Sequence, residues 1–131
     1  MKVSAQRRKG YAHSLTAGHH TLIADEPTDK GGADTGPEPT QLLAMSLAAC
    51  TAITIEMYAD RKEWDVGNLT VDVDYDVEPK GTSRFHVVIQ IPTDLSDDQA
   101  EQLQSIAAKC PVHRVLLGEV EISDEVVRAE R

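Results

Sequence analysis

The sequence predicts one α+β domain in which antiparallel strands surround a long helix. Three observations predict this class: two alternating apolar and polar segments flank a short turn, a long apolar run lacks glycine and proline, and a capping sequence opens a later helix. Strands and helices follow one another without the regular alternation of a parallel sheet. With 131 residues, the chain fits a single domain spanning residues 1–131.

Composition excludes several classes of function. The chain carries 13 Lys and Arg against 22 Asp and Glu, a net charge of −9, which repels phosphate backbones and anionic membrane surfaces. We therefore expect neither a nucleic acid nor a membrane as partner. The basic residues near the start interrupt any apolar run there, and the only two cysteines are Cys50 and Cys110. Both features favour a cytoplasmic protein with free thiols.

The first segment, from Met1 to Asp25, is predicted to be a hairpin of two strands. Gly10 supplies the turn, and the segment from Leu15 to Ala24 is rich in residues that favour strands. The following stretch from Glu26 to Glu38 contains three glycines and two prolines, and it is therefore predicted to be a loop.

A long helix is predicted from Pro39 to about Lys62, with Pro39 at its first position. Apolar residues occupy every side of this helix, which indicates a buried or membrane-spanning element. Glu56 and several hydroxyl side chains within the run argue against a membrane. One small sheet cannot cover all sides of such a helix, so we expect a second copy of the chain to cover the rest, as in a homodimer.

The second half of the chain predicts a hairpin followed by two helices and a strand. The segments Leu69–Val77 and Arg84–Ile91 alternate in polarity around a turn with proline and glycine. Ser96 to Gln99 is a capping box, and the helix that it opens should end at Cys110 because Pro111 follows. Pro111 starts a short helix that ends before Gly118, and a last strand is expected around Val120 and Ile122.

The two cysteines are the residues best suited to carry chemistry. Cys110 is predicted to cap the helix that starts at Pro111, and its unpaired amide groups, with Lys109, His113 and Arg114 nearby, should stabilise a thiolate. Cys50 lies in the middle of the long helix. Its helical face is mainly apolar and offers candidate substrate-binding residues: Leu43, Leu47, Ile53 and Met57.

A zinc site is the alternative use of the same side chains. Cys110 and His113 have a C-x-x-H spacing, and Cys50 could be a third ligand, but a structural zinc site takes four. The aspartates at 72, 74 and 76 lack the glycine and the glutamate of a calcium loop. The chain also has no phosphate-binding glycine loop, and we expect no cofactor and no metal.

Two motifs in the same order resemble the OsmC/Ohr family. GPEPTQLLAMSLAACTAIT, from Gly36 to Thr54, is similar to the central cysteine helix of that family, and KCPVHR, from Lys109 to Arg114, resembles its second cysteine motif. His20–Pro27, Gly31–Gly32 and Met57–Trp64 resemble the OsmC-like branch. The likeness therefore extends over nearly the whole chain.

The resemblance implies an intertwined homodimer with each active site at the subunit interface, and a peroxidase that uses cysteine. Carried over by position, Cys50 is the peroxidatic residue and Cys110 the resolving one, and a cellular dithiol returns the pair to the thiol state. The family places an arginine from the N-terminal strands beside the first cysteine, here Arg8, or else Arg7. The apolar residues near Cys50 favour organic hydroperoxides over hydrogen peroxide.

This chain departs from the family pattern at the start of the cysteine helix. Family members often carry a glutamate there that orients the arginine, whereas this chain has Thr40 and Gln41, with Glu38 offset from the position. Two alternatives therefore stay open beside the peroxidase. One is a non-catalytic OsmC-like dimer that binds a small apolar molecule at its interface, and the other is the zinc site.

Overall fold

The structure is a computed structural model, and it describes residues 1–129. It contains two antiparallel sheets and three α-helices, in the α+β class that the sequence predicts. The elements in chain order are β1 (Val3–Arg7), β2 (His13–Ala17), β3 (His20–Ala24), α1 (Pro39–Lys62), β4 (Thr70–Asp76), β5 (Arg84–Gln90), α2 (Asp97–Ala107) and α3 (Pro111–Leu117).

The first segment forms three strands, and the prediction of two strands is wrong. Gly10 lies in the predicted first turn, but Gly18 adopts a φ of 61° and starts a second turn. Ala17 and His20 face each other across it, so the loop has two residues with glycine first, as a type II′ turn requires. The strand-favouring residues on both sides of Gly18 concealed this break.

The long helix has the predicted limits, from Pro39 at its first position to Lys62. Glu63 ends it in the left-handed conformation, with a φ of 58°. Among the described residues, α1 is the one helix long and apolar enough to cross a membrane, a test that the core helix of a soluble protein also passes. It packs on α2, α3 and β4 through one buried face: Ala44, Leu47, Thr51, Ile55 and Ala59.

The second hairpin confirms the predicted pair of strands. β4 and β5 are antiparallel, with Val73 opposite Val87 and Tyr75 opposite Phe85. The valines of β4 point towards α1, and the aspartates between them face solvent, because successive side chains of a strand alternate between its two faces. The core that results is formed by Ile55, Ala59, Val66, Leu103 and Ala107.

The capping box of α2 is confirmed, but the prediction that this helix continues to Cys110 is wrong. Ser96 Oγ accepts a hydrogen bond from the backbone N–H of Gln99 at 3.1 Å, and Gln99 Oε1 accepts one from Ser96 at 3.0 Å. The helix ends at Ala107 because the amides of Lys109 and Cys110 bond three residues back, to Ile106 and Ala107, in a tightened last turn.

The predicted last strand does not form within residues 1–129. The chain after α3 has no regular secondary structure, and the side chains of Val120 and Ile122 are exposed. A strand needs the backbone of a neighbouring strand to bond its amide and carbonyl groups. No strand of the described part of this chain lies beside the segment, so the apolar alternation has nothing to pair with.

A buried carboxylate holds the predicted loop against β3. Asp25 is 2% exposed and accepts hydrogen bonds from the Glu26 amide, at 2.7 Å, and from the amide and hydroxyl of Thr35, at 3.1 and 2.7 Å. The Thr35 hydroxyl is the main cause that lowers the pKa of Asp25. Gly32 and Gly36 let the loop approach closely, since a Cβ there would lie 1.9 and 2.3 Å from backbone oxygens.

The three-stranded sheet stands apart from the rest of the chain. Within residues 1–129 it does not pack face to face on any helix or on the β4–β5 hairpin, and every residue of β1 is exposed. The loop that Asp25 anchors connects this sheet to α1. The core described above therefore belongs to the part of the chain from α1 onward.

Substitution of Asp25 by asparagine is expected to release the loop. The side-chain amide of asparagine accepts hydrogen bonds less strongly than a carboxylate, and its NH2 group points a donor at the donors of Thr35. The backbone N–H of Thr35 should therefore exchange with solvent faster, as measured by NMR hydrogen exchange. In the unmodified protein, the protection should be full above the ordinary carboxyl pKa of about 4 and be lost as the pH falls through the lowered pKa.

Asp29→Asn is the matched control, because Asp29 lies in the same loop on an exposed turn. Its exchange rates should match those of the unmodified protein. Unchanged protection of Thr35 in the Asp25→Asn protein would show that the carboxylate does not hold the loop.

Candidate active site

The structure brings together the two cysteines, which are sixty residues apart in the sequence. Cys50 lies in the middle of α1 and Cys110 precedes α3, and α1 packs on α3. The two thiols lie close enough to interact, since Cys50 is one of the causes that raise the pKa of Cys110, and both thiols are free. Such a pair can form a disulfide upon oxidation without a large rearrangement of the helices.

Cys110 caps α3, as the sequence predicts. Its Sγ accepts a hydrogen bond from the backbone N–H of His113 at 3.4 Å. The expectation that this position stabilises a thiolate is nevertheless wrong. Burial raises the pKa of Cys110, and the adjacent Cys50 thiol raises it further, whereas the amides of His113 and Val112 lower it by less. The side chain is 0% exposed, so the loss of hydration outweighs the amide dipoles.

Cys50 is partly buried, at the border between the buried and exposed faces of α1. The four predicted substrate-binding residues separate into two pairs around it. Leu43 and Leu47 line a cavity, while Ile53 and Met57 are 51% and 61% exposed and do not line it. Helical spacing relates all four residues to Cys50 along α1, but it could not show which of them faces another element of the same chain.

A cavity of about 640 Å³ lies one helical turn from each thiol, since its lining includes Leu47 and His113 but neither cysteine. Its walls come from α1, β5 and α3, and most of its lining side chains are apolar: Leu43, Leu47, Val77, Ser83, Arg84, Phe85, Val87, His113, Leu116 and Leu117. Arg84 is the one charged residue in this lining, which contains no carboxylate among the described residues. The cavity therefore suits an apolar molecule of moderate size.

Arg8 and Arg7 both lie at the first hairpin, away from the thiols of the same chain. Arg8 Nη1 donates to Ser14 Oγ at 3.3 Å, and Arg7 Nε donates to the Gly10 carbonyl at 2.9 Å. Within residues 1–129 neither arginine forms an ion pair with a carboxylate. Because their sheet does not pack on α1, the structure does not bring either arginine to Cys50 of the same chain.

The residues that replace the family glutamate already have partners. Gln41 Oε1 accepts from the Glu38 amide at 2.9 Å, and Glu38 Oε2 pairs with Lys30 Nζ at 3.0 Å. This ion pair is the main cause that raises the pKa of Lys30. Neither Gln41 nor Glu38 is therefore free to orient a guanidinium without losing an existing contact at the start of α1.

The structure gives no support to the zinc alternative. Among residues 1–129, no three His, Cys, Asp or Glu side chains lie close enough together to hold a metal ion. The ring of His113 is on the wall of the cavity, and its Nδ1 atom is buried without a hydrogen-bond partner.

Sequence reasoning missed part of the cavity wall. The alternation of β5 predicts that Phe85 and Val87 point inward, but their meeting with α3 across the cavity depends on the tertiary structure. The role of His113 as a lining residue was also missed. Its position three residues after the cap Cys110 was the available signal, since that spacing places it one turn further along the same short helix.

The fold and the site together define the class of protein. It is an α+β protein with a central helix, two free thiols that approach one another, and an apolar cavity one helical turn away. The family model described as OsmC-like protein matches residues 31–124. The chain therefore belongs to the OsmC-like protein family. This match includes both cysteines and the whole of α1. No curated protein is similar enough in sequence to count as a match.

Solved structures agree with this family. A protein from Psychrobacter arcticus 273-4, provisionally described as an osmotic stress induced and detoxification response protein, is 25% identical with a TM-score of 0.77, over 86% of this chain and 85% of that one. Organic hydroperoxide resistance protein OsmC from Legionella pneumophila is 25% identical with a TM-score of 0.62, over 90% of each chain. OhrB of Bacillus subtilis, an organic hydroperoxide resistance protein, is 25% identical with a TM-score of 0.60, over 92% and 94%.

The two thiols are expected to differ in their reaction with iodoacetamide. At pH 7.5 Cys110, measured in a Cys50→Ser protein, should react more than about tenfold slower than Cys50 in a Cys110→Ser protein, because it is buried and its pKa is raised. The rate for Cys110 should keep rising above the usual thiol pKa of about 8.5.

Unfolding in guanidinium chloride provides the control, since it should make the two rates similar. Equal rates in the folded proteins would show that Cys110 is accessible and ionised, contrary to its place in the structure.

Proposed function

We propose that this protein is a cysteine-based peroxidase that reduces organic hydroperoxides to alcohols. The observation that carries the proposal is the close approach of two free thiols that are far apart in sequence, each one helical turn from a residue that lines an apolar cavity. The family includes proteins described as organic hydroperoxide resistance proteins, which supports the same substrate class. The apolar lining favours an alkyl or aryl hydroperoxide because it provides few groups to replace the hydration of hydrogen peroxide.

The environments of the two thiols support different roles for them. Cys110 is fully buried and its raised pKa keeps it protonated at neutral pH, so it is a poor first nucleophile. Cys50 is the more accessible of the two and lies one helical turn after Leu47, which lines the cavity. We therefore assign the first attack to Cys50 and the resolving step to Cys110.

The reaction then has three steps: an oxidation by the hydroperoxide, a condensation that joins the two sulfurs, and a reduction. The Cys50 thiolate attacks the outer oxygen of the hydroperoxide, the O–O bond breaks, and the alkoxide takes up a proton and leaves as the alcohol. Cys110 attacks the sulfur of the resulting sulfenic acid, forming the disulfide and releasing water. A cellular dithiol reduces this disulfide by exchange, which implies a reducing compartment such as the cytoplasm.

Exposed apolar surfaces support a homodimer. On α1, the side chains of Met45, Ile53 and Met57 are exposed, and the first sheet has no element of this chain packed on it within the described residues. A second cavity of about 660 Å³ separates that sheet from the start of α1. A second copy of the chain could cover these surfaces, in the intertwined arrangement that the family resemblance implies.

Within such a dimer, Arg8 from the partner would serve Cys50. A partly buried thiolate needs a nearby cation, and the arginines of the first hairpin lie away from Cys50 of their own chain. Arg8 holds only a long hydrogen bond to Ser14, whereas Arg7 is bonded to the backbone of its own turn. Arg8 can therefore change its partner at lower cost, which favours it over Arg7.

A second candidate function is supported by the cavity. Its volume of about 640 Å³ and its mainly apolar walls suit a small apolar ligand whether or not the thiols react. The existing contacts of Glu38 and Gln41 also favour this reading, because they leave no obvious group to orient an arginine. Thiol titration before and after one equivalent of cumene hydroperoxide separates the two candidates, since only the peroxidase loses thiols.

Serine substitutions test the two assigned roles. Cys50→Ser should abolish hydroperoxide consumption, because a hydroxyl does not ionise enough at neutral pH to attack the peroxide. Cys110→Ser should permit one attack and leave Cys50 as sulfenic acid, detected by mass spectrometry after trapping with dimedone. Unmodified protein should lose both thiols of each chain.

Two outcomes would contradict the assignment. Turnover by the Cys50→Ser protein would show that another group attacks the peroxide. Normal cycling of the Cys110→Ser protein with a dithiol, without a trapped sulfenic acid, would show that Cys110 is structural.

Mixed dimers test whether Arg8 acts across the interface. Arg8→Ala should lower the rate of Cys50 oxidation, and co-expression with Cys50→Ser should restore activity, because each mixed dimer then holds one complete site. With random pairing, about a quarter of all sites are complete. Arg7→Ala is the matched control and should retain the normal rate.

The mixed-dimer experiment requires a dimer, which light scattering should show. A protein that is monomeric at micromolar concentration would contradict the proposed homodimer. Failure of the mixed dimers to regain activity would show that the arginine acts on its own chain or not at all.

A further inference from the structure

His113 is a titratable side chain at the site that the proposed mechanism leaves without a role. Its backbone N–H bonds to Cys110 Sγ at 3.4 Å, and its ring lines the cavity. Nδ1 is buried and has no hydrogen-bond partner among the described residues. Buried polar atoms without partners are uncommon in folded proteins. Because Nδ1 has no solvent-accessible surface, it does not face the open cavity, and the other ring nitrogen, Nε2, is the atom that a molecule in the cavity can meet.

The ring and the reacting sulfur belong to neighbouring turns of two packed helices. Leu47 lies one turn before Cys50 on α1 and shares the cavity wall with His113. Cys110, which contacts Cys50, lies one turn before His113. Cys50 itself does not line the cavity, so a hydroperoxide whose reactive oxygen reaches Cys50 would extend past Leu47 into the cavity, where the imidazole is on the wall.

The chemistry of the first step creates a need for a proton at this place. Attack by Cys50 breaks the O–O bond and leaves an alkoxide, a much stronger base than a thiolate, inside a mainly apolar cavity. Histidine is the side chain that most readily donates a proton near neutral pH. Arg84, the one charged residue of the cavity lining, can stabilise an anion but does not release its proton.

We propose that His113 is the general acid that protonates the leaving alkoxide, a role that rests on the proposed peroxidase function. The Cys50 sulfur forms a bond to the outer oxygen of the hydroperoxide as the O–O bond breaks. The electron pair of that bond goes to the inner oxygen, which takes the proton from the imidazolium of His113. The products are the Cys50 sulfenic acid, the alcohol and a neutral imidazole, which regains its proton from water.

Single-turnover oxidation with two oxidants of different leaving groups tests this role. The alkoxide from tert-butyl hydroperoxide needs a proton, whereas the acetate from peracetic acid is stable without one. In the His113→Asn and His113→Phe proteins, oxidation of Cys50 by tert-butyl hydroperoxide should slow by about a hundredfold or more, the usual contribution of a general acid. Oxidation by peracetic acid should change by about threefold or less, because acetate leaves without a proton and needs no general acid.

His86→Asn is the matched control, because His86 is exposed on β5 and does not line the cavity. It should leave both rates unchanged. Free imidazole should restore part of the tert-butyl hydroperoxide rate in a His113→Ala protein, since it can enter the space that the ring leaves. If His113 only shaped the cavity wall, its substitution would slow the oxidation of Cys50 by both oxidants equally, and free imidazole would not restore the rate.

Three results would overturn the assignment. Equal slowing of both oxidants in the His113 variants would make the residue structural. A selective loss with tert-butyl hydroperoxide in Arg84→Gln or Cys110→Ser, but not in the His113 variants, would move the role to that residue. An unmodified protein whose Cys50 reacts with neither oxidant would overturn the peroxidase proposal itself, and the role of His113 with it.

Discussion

The apolar surface of α1 is the constraint on which the rest of the structure depends. A helix that is apolar on all sides must be covered on all sides, because exposed apolar area costs about 25 cal/mol per Å². The chain covers one face with α2, α3 and the β4–β5 hairpin, and Ile55 and Leu103 meet there in the core. The same packing brings α3 to the middle of α1, so the requirement that buries the helix also places Cys110 beside Cys50.

Part of the apolar surface of α1 is not covered by any element of the same chain within the described residues. Ile53 and Met57 lie on the uncovered side of α1, and the three-stranded sheet stands off from it within the described residues. The loop between them is held firmly by Asp25, and Glu38 at its end is bound to Lys30. The first sheet is therefore attached at a fixed place, and within the described residues no other element packs on its faces, which are the surfaces that the proposed homodimer would cover.

Competition between burial and local dipoles decides the chemistry of the thiols. The cap position of Cys110 supplies amide donors, which favour a thiolate, and the His113 amide contacts the sulfur. Burial is nevertheless the larger effect, and it raises the pKa of Cys110. This balance separates the two cysteines into an accessible and a protected thiol, a difference that a peroxidase of the proposed kind requires between its attacking and resolving residues.

The sequence by itself determined the elements whose signals are local. Pro39 and the apolar run fixed the limits of α1, the alternation fixed β4 and β5, and Ser96 fixed the start of α2, because caps and periodicity act within a few residues. The two cysteine motifs also identified the family. Only the tertiary structure decided the features that depend on what lies across the fold: the unpaired segment around Val120, the burial that raises the pKa of Cys110, and the position of His113 in the cavity wall. Burial and pairing arise between segments far apart in the chain, and no local pattern encodes which segments meet.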